Sequence, residues 1–180
     1  MPHSPLSDAT LKRAATVRLV ALDVDGVLTD GGIIWDENGV ETKRFSVRDG
    51  MGIRLLLDAG YSVGIITARR SRLVERRAEE LSLTFLHQKV DNKWSCLHNE
   101  LQSRGLSPEH VAFMGDDLVD LPVLRRVGFG AAPADAVQDV VHAAHWQSSQ
   151  GGGHGAVRQM AETLLKASGR WEKAVSRFYE

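Results

Sequence analysis

Two acidic motifs hold most of the chemistry this sequence can do. Asp23-Val24-Asp25-Gly26 follows the apolar run Val17–Leu22, and Gly115-Asp116-Asp117-Leu118-Val119-Asp120 follows the apolar run Val111–Met114. A third run, Tyr61–Ile66, ends in Thr67-Ala68-Arg69. A lone Asp-x-Asp-Gly is often only a turn, because Asp side chains bond to nearby backbone. Paired carboxylates behind two buried strands are harder to explain that way. Gathered at one edge, they repel one another unless a cation sits among them. Hard oxygen donors suit Mg²⁺, which keeps several waters and often takes a substrate phosphate oxygen.

The three apolar runs suit strands buried on both faces, as in parallel sheets. Leu83–Leu86 and Val127–Gly130 are weaker strand candidates. Between them lie stretches of helical spacing at Gly52–Ala59, Ser71–Leu81, Asp91–Arg104, Asp117–Arg126 and Ala156–Lys166. This alternation predicts a doubly wound, Rossmann-like α/β fold, its mainly parallel sheet covered by helices on both faces. In such a sheet the three polar strand ends converge on one edge, where ligands bind. One stretch breaks the pattern. Residues 32–45 read as a β-hairpin around Asn38-Gly39, projecting after the first strand. Residues 1–16 read as a loose N-terminal arm, 17–168 as the domain, Gly151–Gly155 as a flexible hinge before residues 156–168, and 169–180 as a tail.

With 180 residues, one domain is the expectation. The 22 Lys and Arg against 23 Asp and Glu argue against a general nucleic-acid binder, which must neutralise many phosphates. No apolar stretch approaches the roughly 20 residues needed to span a bilayer, and the start lacks the apolar core of a signal peptide. The single cysteine, Cys96, excludes an internal disulfide. A cytoplasmic protein is expected.

The nine residues Asp23–Gly31, with Thr67, Lys93 and Asp116–Asp120 following in order, resemble the four motifs of the haloacid dehalogenase superfamily of phosphohydrolases. The resemblance runs from about Val17 to Lys166. Phe45–Gly50, Gly52-Ile53-Arg54 and Gly152–Arg158 narrow it to a subfamily without a cap domain, which acts on the phosphate of an eight-carbon 2-keto sugar acid used in lipopolysaccharide synthesis. The resemblance implies that Asp23 is the nucleophile, forming an aspartyl-phosphate and splitting the hydrolysis into two displacements. Beside Mg²⁺ its carboxylate stays ionised. Asp25 would protonate the leaving oxygen and then activate water, so its surroundings should favour the protonated form more than those of Asp23 do. Thr67 would bind the phosphoryl group, and Lys93, rather than its neighbour Lys89, would neutralise it. Mg²⁺ would be held by Asp23, Asp116 and the backbone carbonyl of Asp25. Asp117 and Asp120 would orient metal waters or hold Lys93.

The resemblance further places Asp25, Ser46, Val47, Arg48, Asp49, Gly50, Arg54, Arg69, Arg77, Lys93 and Arg158 against the sugar phosphate. Arginine suits the substrate carboxylate, since its guanidinium forms paired bonds to one. The residues alone leave Arg77 open to a plainer reading as part of a charged helix face. The subfamily is a homotetramer joined through its hairpins, here residues 32–45, with a neighbour helping to close each site. Three features depart from its pattern: Ala68 where glycine is common, His145-Trp146-Gln147, and the tail from Arg170 onward. A related nonulosonate 9-phosphate as substrate remains open, as does a non-catalytic scaffold of the same fold. The intact acidic and basic set argues against the scaffold.

Overall fold

In a computed structural model, residues 7–180 are described. The chain runs α1 (Asp8–Thr16), β1 (Leu19–Leu22), β2 (Ile34–Trp35), β3 (Glu41–Thr42), α2 (Val47–Asp58), β4 (Ser62–Ile66), α3 (Arg72–Leu81), β5 (Phe85–His87) and α4 (Lys93–Arg104). It continues with β6 (Val111–Met114), α5 (Leu121–Leu124), β7 (Phe129–Ala132), α6 (Gln138–Ala143), β8 (Trp146–Gln147), α7 (Ala156–Ala167) and α8 (Trp171–Val175). Short 3₁₀ turns precede β6 and α5 and follow α8.

Six strands form one parallel sheet in the order β5-β4-β1-β6-β7-β8. Leu19 and Ala21 face one side, with Phe113, Leu97 and Leu101, Val123 and Val140. Val20 and Leu22 face the other, with Ile53, Leu56, Met160 and Leu164. Burial on both faces explains why these strands read as unbroken apolar runs. Successive strands step outward from β1 through β4 to β5, then return to its other side at β6. The order therefore reverses between β1 and β6, the place where open α/β sheets bind ligands. Among the described residues no cap domain interrupts the chain; β2 and β3 form a separate antiparallel hairpin.

Several expectations need correction. Residues 8–16 form α1 rather than a loose arm: Ser7 caps it by accepting from the Thr10 N–H, and Ala14 is fully buried. Residues 1–6 lie outside the described residues. The tail is likewise structured, with Val175 in the core cluster of α2 and α7. Helix α2 begins at Val47, five residues before the expected start, capped by Ser46. Gly50 and Gly52 look like helix breakers in sequence, yet both sit at close contacts. A Cβ on Gly50 would lie 2.2 Å from the Arg77 guanidinium, and one on Gly52 would lie 2.9 Å from the Arg158 Cα. Asn92 rather than Asp91 caps α4, and β7 starts two residues later than expected. Strand β8 and helix α6 carried no clear signal, being two and six residues long.

The glycine segment is a pinned turn rather than a hinge. The Gly152 N–H donates to Asp135, the Gly153 N–H to the Val27 carbonyl, and the Gly155 N–H to Asp49. A Cβ on Gly152 would lie 2.0 Å from the Gly26 carbonyl oxygen, so glycine lets this turn lie flat on the Asp23 loop.

Candidate active site

The register places the polar strand ends side by side. Leu22 pairs with Ile65 on one flank and Met114 on the other, so Asp23 emerges between β4 and β6. Its N–H continues the ladder by donating to the Met114 carbonyl at 3.1 Å. Gly26, at φ +82°, turns the chain back beneath Asp116. A Cβ there would lie 1.9 Å from the Asp116 Oδ2, so the glycine admits the second carboxylate to the site.

Asp23, Asp116 and Asp120 each offer a carboxylate oxygen, all within 4.8 Å of one another. Lys93, the first residue of α4, lies between two of them: its Nζ is 2.8 Å from Asp23 Oδ2 and 2.6 Å from Asp120 Oδ1. Asp120 is fully buried and uses its other oxygen to accept from the Asp116 and Asp117 N–H groups at 3.0 and 3.3 Å. It thus ties the lysine to the loop that carries Asp116. Asp117 caps the following 3₁₀ turn, its side chain accepting from the Leu118 N–H at 2.7 Å. Thr67 is buried at the end of β4 on the same edge, its N–H bonded to the His87 carbonyl. Lys89, at φ +56°, makes no contact with the carboxylates, and the structure brings Lys93 to them instead.

Electrostatics mark the cluster as short of positive charge. Burial pushes Asp23 up to about 6, with Asp120 adding to the rise and Lys93 opposing it. Burial together with the charges of Asp23, Asp120 and Asp117 pushes Asp116 up to about 7. Burial works against the Lys93 ammonium, but the Asp23 and Asp120 charges outweigh it and hold its pKa above the ordinary lysine value. One ammonium does not balance three clustered carboxylates, two of them buried. A divalent cation would, and an all-oxygen donor set fits Mg²⁺ rather than a softer metal.

Asp25 is faced by two cations. Its Oδ1 accepts from Lys43 Nζ, and its Oδ2 lies 3.6 Å from Arg69 Nε. Lys43, whose side chain is only 2% exposed, comes from the hairpin. Beside it, Glu41 accepts from Arg69 at 3.0 Å and from the Ser71 hydroxyl at 2.7 Å. Neither Lys43 nor Glu41 stood out in sequence. Hairpins with alternating charge are common, and only the fold lays this one over the strand end.

Of the residues expected to line the sugar, only Arg69 and Lys93 reach the carboxylates in this structure. Ser46 caps α2, and Val47 beside it is an exposed apolar residue. Asp49 is buried, and its carboxylate accepts from the Gly155 and Arg158 N–H groups at the start of α7. Burial still raises it above the usual carboxylate range. Arg77 is largely buried, bonding to Glu80 and the Ser46 carbonyl, which excludes the plain charged-face reading. Arg54 bonds to the Leu81 carbonyl. Arg48 and Arg158 line a surface cavity of about 430 Å³ with His154 and Glu162, beside the glycine turn.

Ala68 is exposed, whereas the other two departures are packing features. The His145 Nδ1 accepts from the Gly130 N–H, and burial lowers its pKa, with Arg13 adding to the fall. Trp146 stacks beside Phe129, and Trp171 in the tail lies under Arg158 and Lys166.

The parallel sheet, its reversal point and the Asp–Lys–Asp edge are the frame of a phosphoryl-transfer hydrolase. Residues 85–159 match the family of haloacid dehalogenase-like hydrolases. Within that class the chain belongs to the 3-deoxy-D-manno-octulosonate 8-phosphate phosphatase family. It is 42% identical to the enzyme of that name from Escherichia coli over 172 residues, covering 96% of this chain and 92% of the relative. The crystal structure of the Yersinia pestis phosphatase has a TM-score of 0.92 and 42% identity, over 96% of this chain and 93% of that one. The Moraxella catarrhalis phosphatase, solved with magnesium, phosphate and KDO, has a TM-score of 0.92 and 37% identity, over 94% and 97%.

Proposed function

We propose that this protein hydrolyses 3-deoxy-D-manno-octulosonate 8-phosphate to the free sugar acid and phosphate, as a Mg²⁺-dependent step of lipopolysaccharide sugar synthesis. The observation that carries this reading is the salt-bridged Asp23–Lys93–Asp120 edge facing Asp116, in a chain 42% identical to phosphatases of that name. Bound Mg²⁺ supplies positive charge against the phosphoryl oxygens and keeps the carboxylates ionised. Asp23, Asp116 and the Asp25 carbonyl are the residues that would hold it.

The remaining chemistry belongs to the chain. The Asp23 carboxylate attacks phosphorus, making an O–P bond as the bond to the sugar oxygen breaks. Asp25 gives its proton to that departing oxygen. Asp25 then takes a proton from water as the water oxygen attacks phosphorus, and the Asp23–phosphorus bond breaks. Thr67 and Lys93 hold the phosphoryl oxygens through both displacements. Arg69 is the nearest guanidinium to Asp25 and suits the sugar carboxylate; Ser46, Val47, Arg48, Asp49, Gly50, Arg54, Arg77 and Arg158 belong to the surrounding wall. With no cap domain, a neighbour's surface is needed to exclude water, and hairpins 32–45 meeting in a homotetramer would provide it. The exposed Ile33, Ile34, Trp35 and Val40 support that assembly. A cytoplasmic location accords with the absence, among the described residues, of a helix long and apolar enough to cross a membrane.

The test is phosphate release from 3-deoxy-D-manno-octulosonate 8-phosphate with and without Mg²⁺, comparing wild type with Asp23→Asn. Metal-dependent turnover that disappears in the variant is expected. A panel containing a nonulosonate 9-phosphate checks selectivity; faster turnover of that compound would overturn the substrate assignment and leave the reaction class standing.

A further inference from the structure

We propose that Lys43, on the hairpin, is a positioning residue for Asp25, so that the hairpin belongs to the catalytic machinery as well as to the subunit surface. The inference rests on the phosphatase reading above. Three observations carry it. Lys43 is a buried cation on an element that is otherwise exposed: its side chain is 2% exposed, while Ile34 and Trp35 on the opposite strand are more than half exposed. A buried ammonium is costly unless paired, and its partners are Asp25 and, at 3.5 Å, Glu41. The two oxygens of Asp25 are also treated differently. Oδ1 receives the Lys43 bond, whereas Oδ2 has only Arg69 at 3.6 Å, beyond hydrogen-bond distance.

This asymmetry has a chemical use. An acid–base carboxylate must present one particular oxygen to the leaving group and then to water. A free Asp side chain rotates about its final bond and presents either. With Oδ1 held by Lys43, Oδ2 is the oxygen left to exchange a proton. Glu41 completes the arrangement from below. It lies against Lys43 and is itself held by Arg69 and the Ser71 hydroxyl, which links the hairpin to the loop after β4. The attractions among Lys43, Glu41, Arg69 and Ser71 lower the Glu41 pKa, the Ser71 bond contributing most. Movement of the hairpin would therefore be felt at Asp25, one hydrogen bond away.

The experiment is a double-mutant cycle between Lys43→Met and Asp25→Asn, read as kcat for the sugar 8-phosphate and for p-nitrophenyl phosphate. Nitrophenolate leaves without a proton, so the second substrate needs Asp25 only in the water step. For Lys43→Met alone, kcat on the sugar phosphate should fall by roughly 10-fold or more, part of the ~10²–10⁴ that a placed acid–base group contributes. In the Asp25→Asn background the same change should cost less than about 2-fold, because the two residues act as one unit. With p-nitrophenyl phosphate, Lys43→Met should release a rapid first equivalent of nitrophenolate per site and then slow, as the water step becomes limiting. Lys43→Arg, which restores a donor and a charge, should recover part of the loss.

An equal loss from Lys43→Met with and without Asp25 would overturn the proposal, as would equal losses on both substrates with no burst. Either result would make Lys43 a structural prop for the hairpin. Wild-type protein that turns over p-nitrophenyl phosphate but no sugar phosphate would overturn the substrate reading while the cycle still reports on Lys43. Should Lys43→Met lower the melting temperature, the same cycle is run with Lys43→Gln, and the same outcomes apply.

Discussion

The carboxylate edge and the hairpin stand a few residues apart and are built on opposite terms. At the edge, Asp23, Lys93 and Asp120 are buried, mutually bonded and carried on strand ends and a helix start locked into the core. The hairpin has two two-residue strands, an apolar outer surface open to solvent, and a charged inner side, Glu41 and Lys43, as its attachment to the site. A two-stranded ribbon of this size is not independently stable. The contrast separates two requirements of one reaction. Phosphoryl transfer needs charges fixed before substrate arrives, which a single chain can supply. Exclusion of water needs a surface over the site, which the proposed assembly would supply through the hairpin.

The comparison breaks most visibly at the nucleophile. Asp23→Asn should reduce phosphate release by on the order of 10⁴-fold or more, since the covalent step is lost. Its fold should survive, because the substitution removes a charge that is unfavourable in the metal-free protein. Circular dichroism beside the phosphate assay checks both parts. An inactive protein that is also unfolded would mean that the edge is structural rather than preorganised for chemistry.

Lys93→Met attacks the same edge from the cationic side and should behave differently. It leaves Asp23 and Asp120 buried without their partner, a loss of roughly 3–5 kcal/mol of stability by analogy with other broken buried pairs. Urea unfolding of wild type and variant at pH 7.5 measures it. A difference below about 1 kcal/mol would show that water reaches the pair freely. The hairpin should answer in the reverse sense. Trp35→Glu, at a site 64% exposed, should leave the chain's own unfolding midpoint nearly unchanged and convert an oligomer to monomer in sedimentation at micromolar concentration. It should also lower kcat/KM for the sugar phosphate. A wild type that sediments as a monomer would remove the assembly from this account.

How much of each region could be seen in sequence follows from the same contrast. The edge was legible because strand burial writes itself as apolar runs, and the residue after each run inherits a fixed place in a parallel sheet. Asp23 and Thr67 stand at such places, and Asp116 one residue beyond. Lys93 needed the family resemblance to separate it from Lys89, four residues earlier. The hairpin was legible as a turn at Asn38-Gly39, but nothing local says which of its charges points inward, so Lys43 and Glu41 passed unremarked. Gly50, Gly52 and the Gly151–Gly155 segment misled for one reason: glycine marks close approach as readily as flexibility. The first two admit Arg77 and the α7 backbone, and Gly152 admits the Asp23 loop. Tertiary contacts of that kind leave no period in the chain. Asp49 is a related case, a charged residue in a motif whose carboxylate holds the start of α7.

The finest test of the comparison lies in how pH and metal act on stability. Asp23 and Asp116 hold their protons up to about 6 and 7 in the folded, metal-free chain, against an ordinary value of 3.8 in the unfolded one. Between those limits the folded state binds more protons than the unfolded state, so stability falls as pH rises. Their contribution is complete below about pH 4 and lost by a little above pH 7. Asp49, raised by burial, acts in the same direction. Asp30 and Glu41, both lowered, act in the opposite direction but only as pH drops through the ordinary carboxylate range and below. Mg²⁺ binds the ionised carboxylates, so it should reverse the slope it meets. In EDTA the melting temperature should decline from pH 5 to pH 8. Mg²⁺ should raise it by several degrees at pH 8 and little at pH 5, a size set by ~2–4 °C per kcal/mol for a chain of this length. Asp116→Asn should flatten the EDTA slope and abolish the metal response together, while Trp35→Glu should leave both in place. If the hairpin variant altered the metal response instead, the two regions would be coupled in the resting protein, and the division drawn between them would hold only for the reaction.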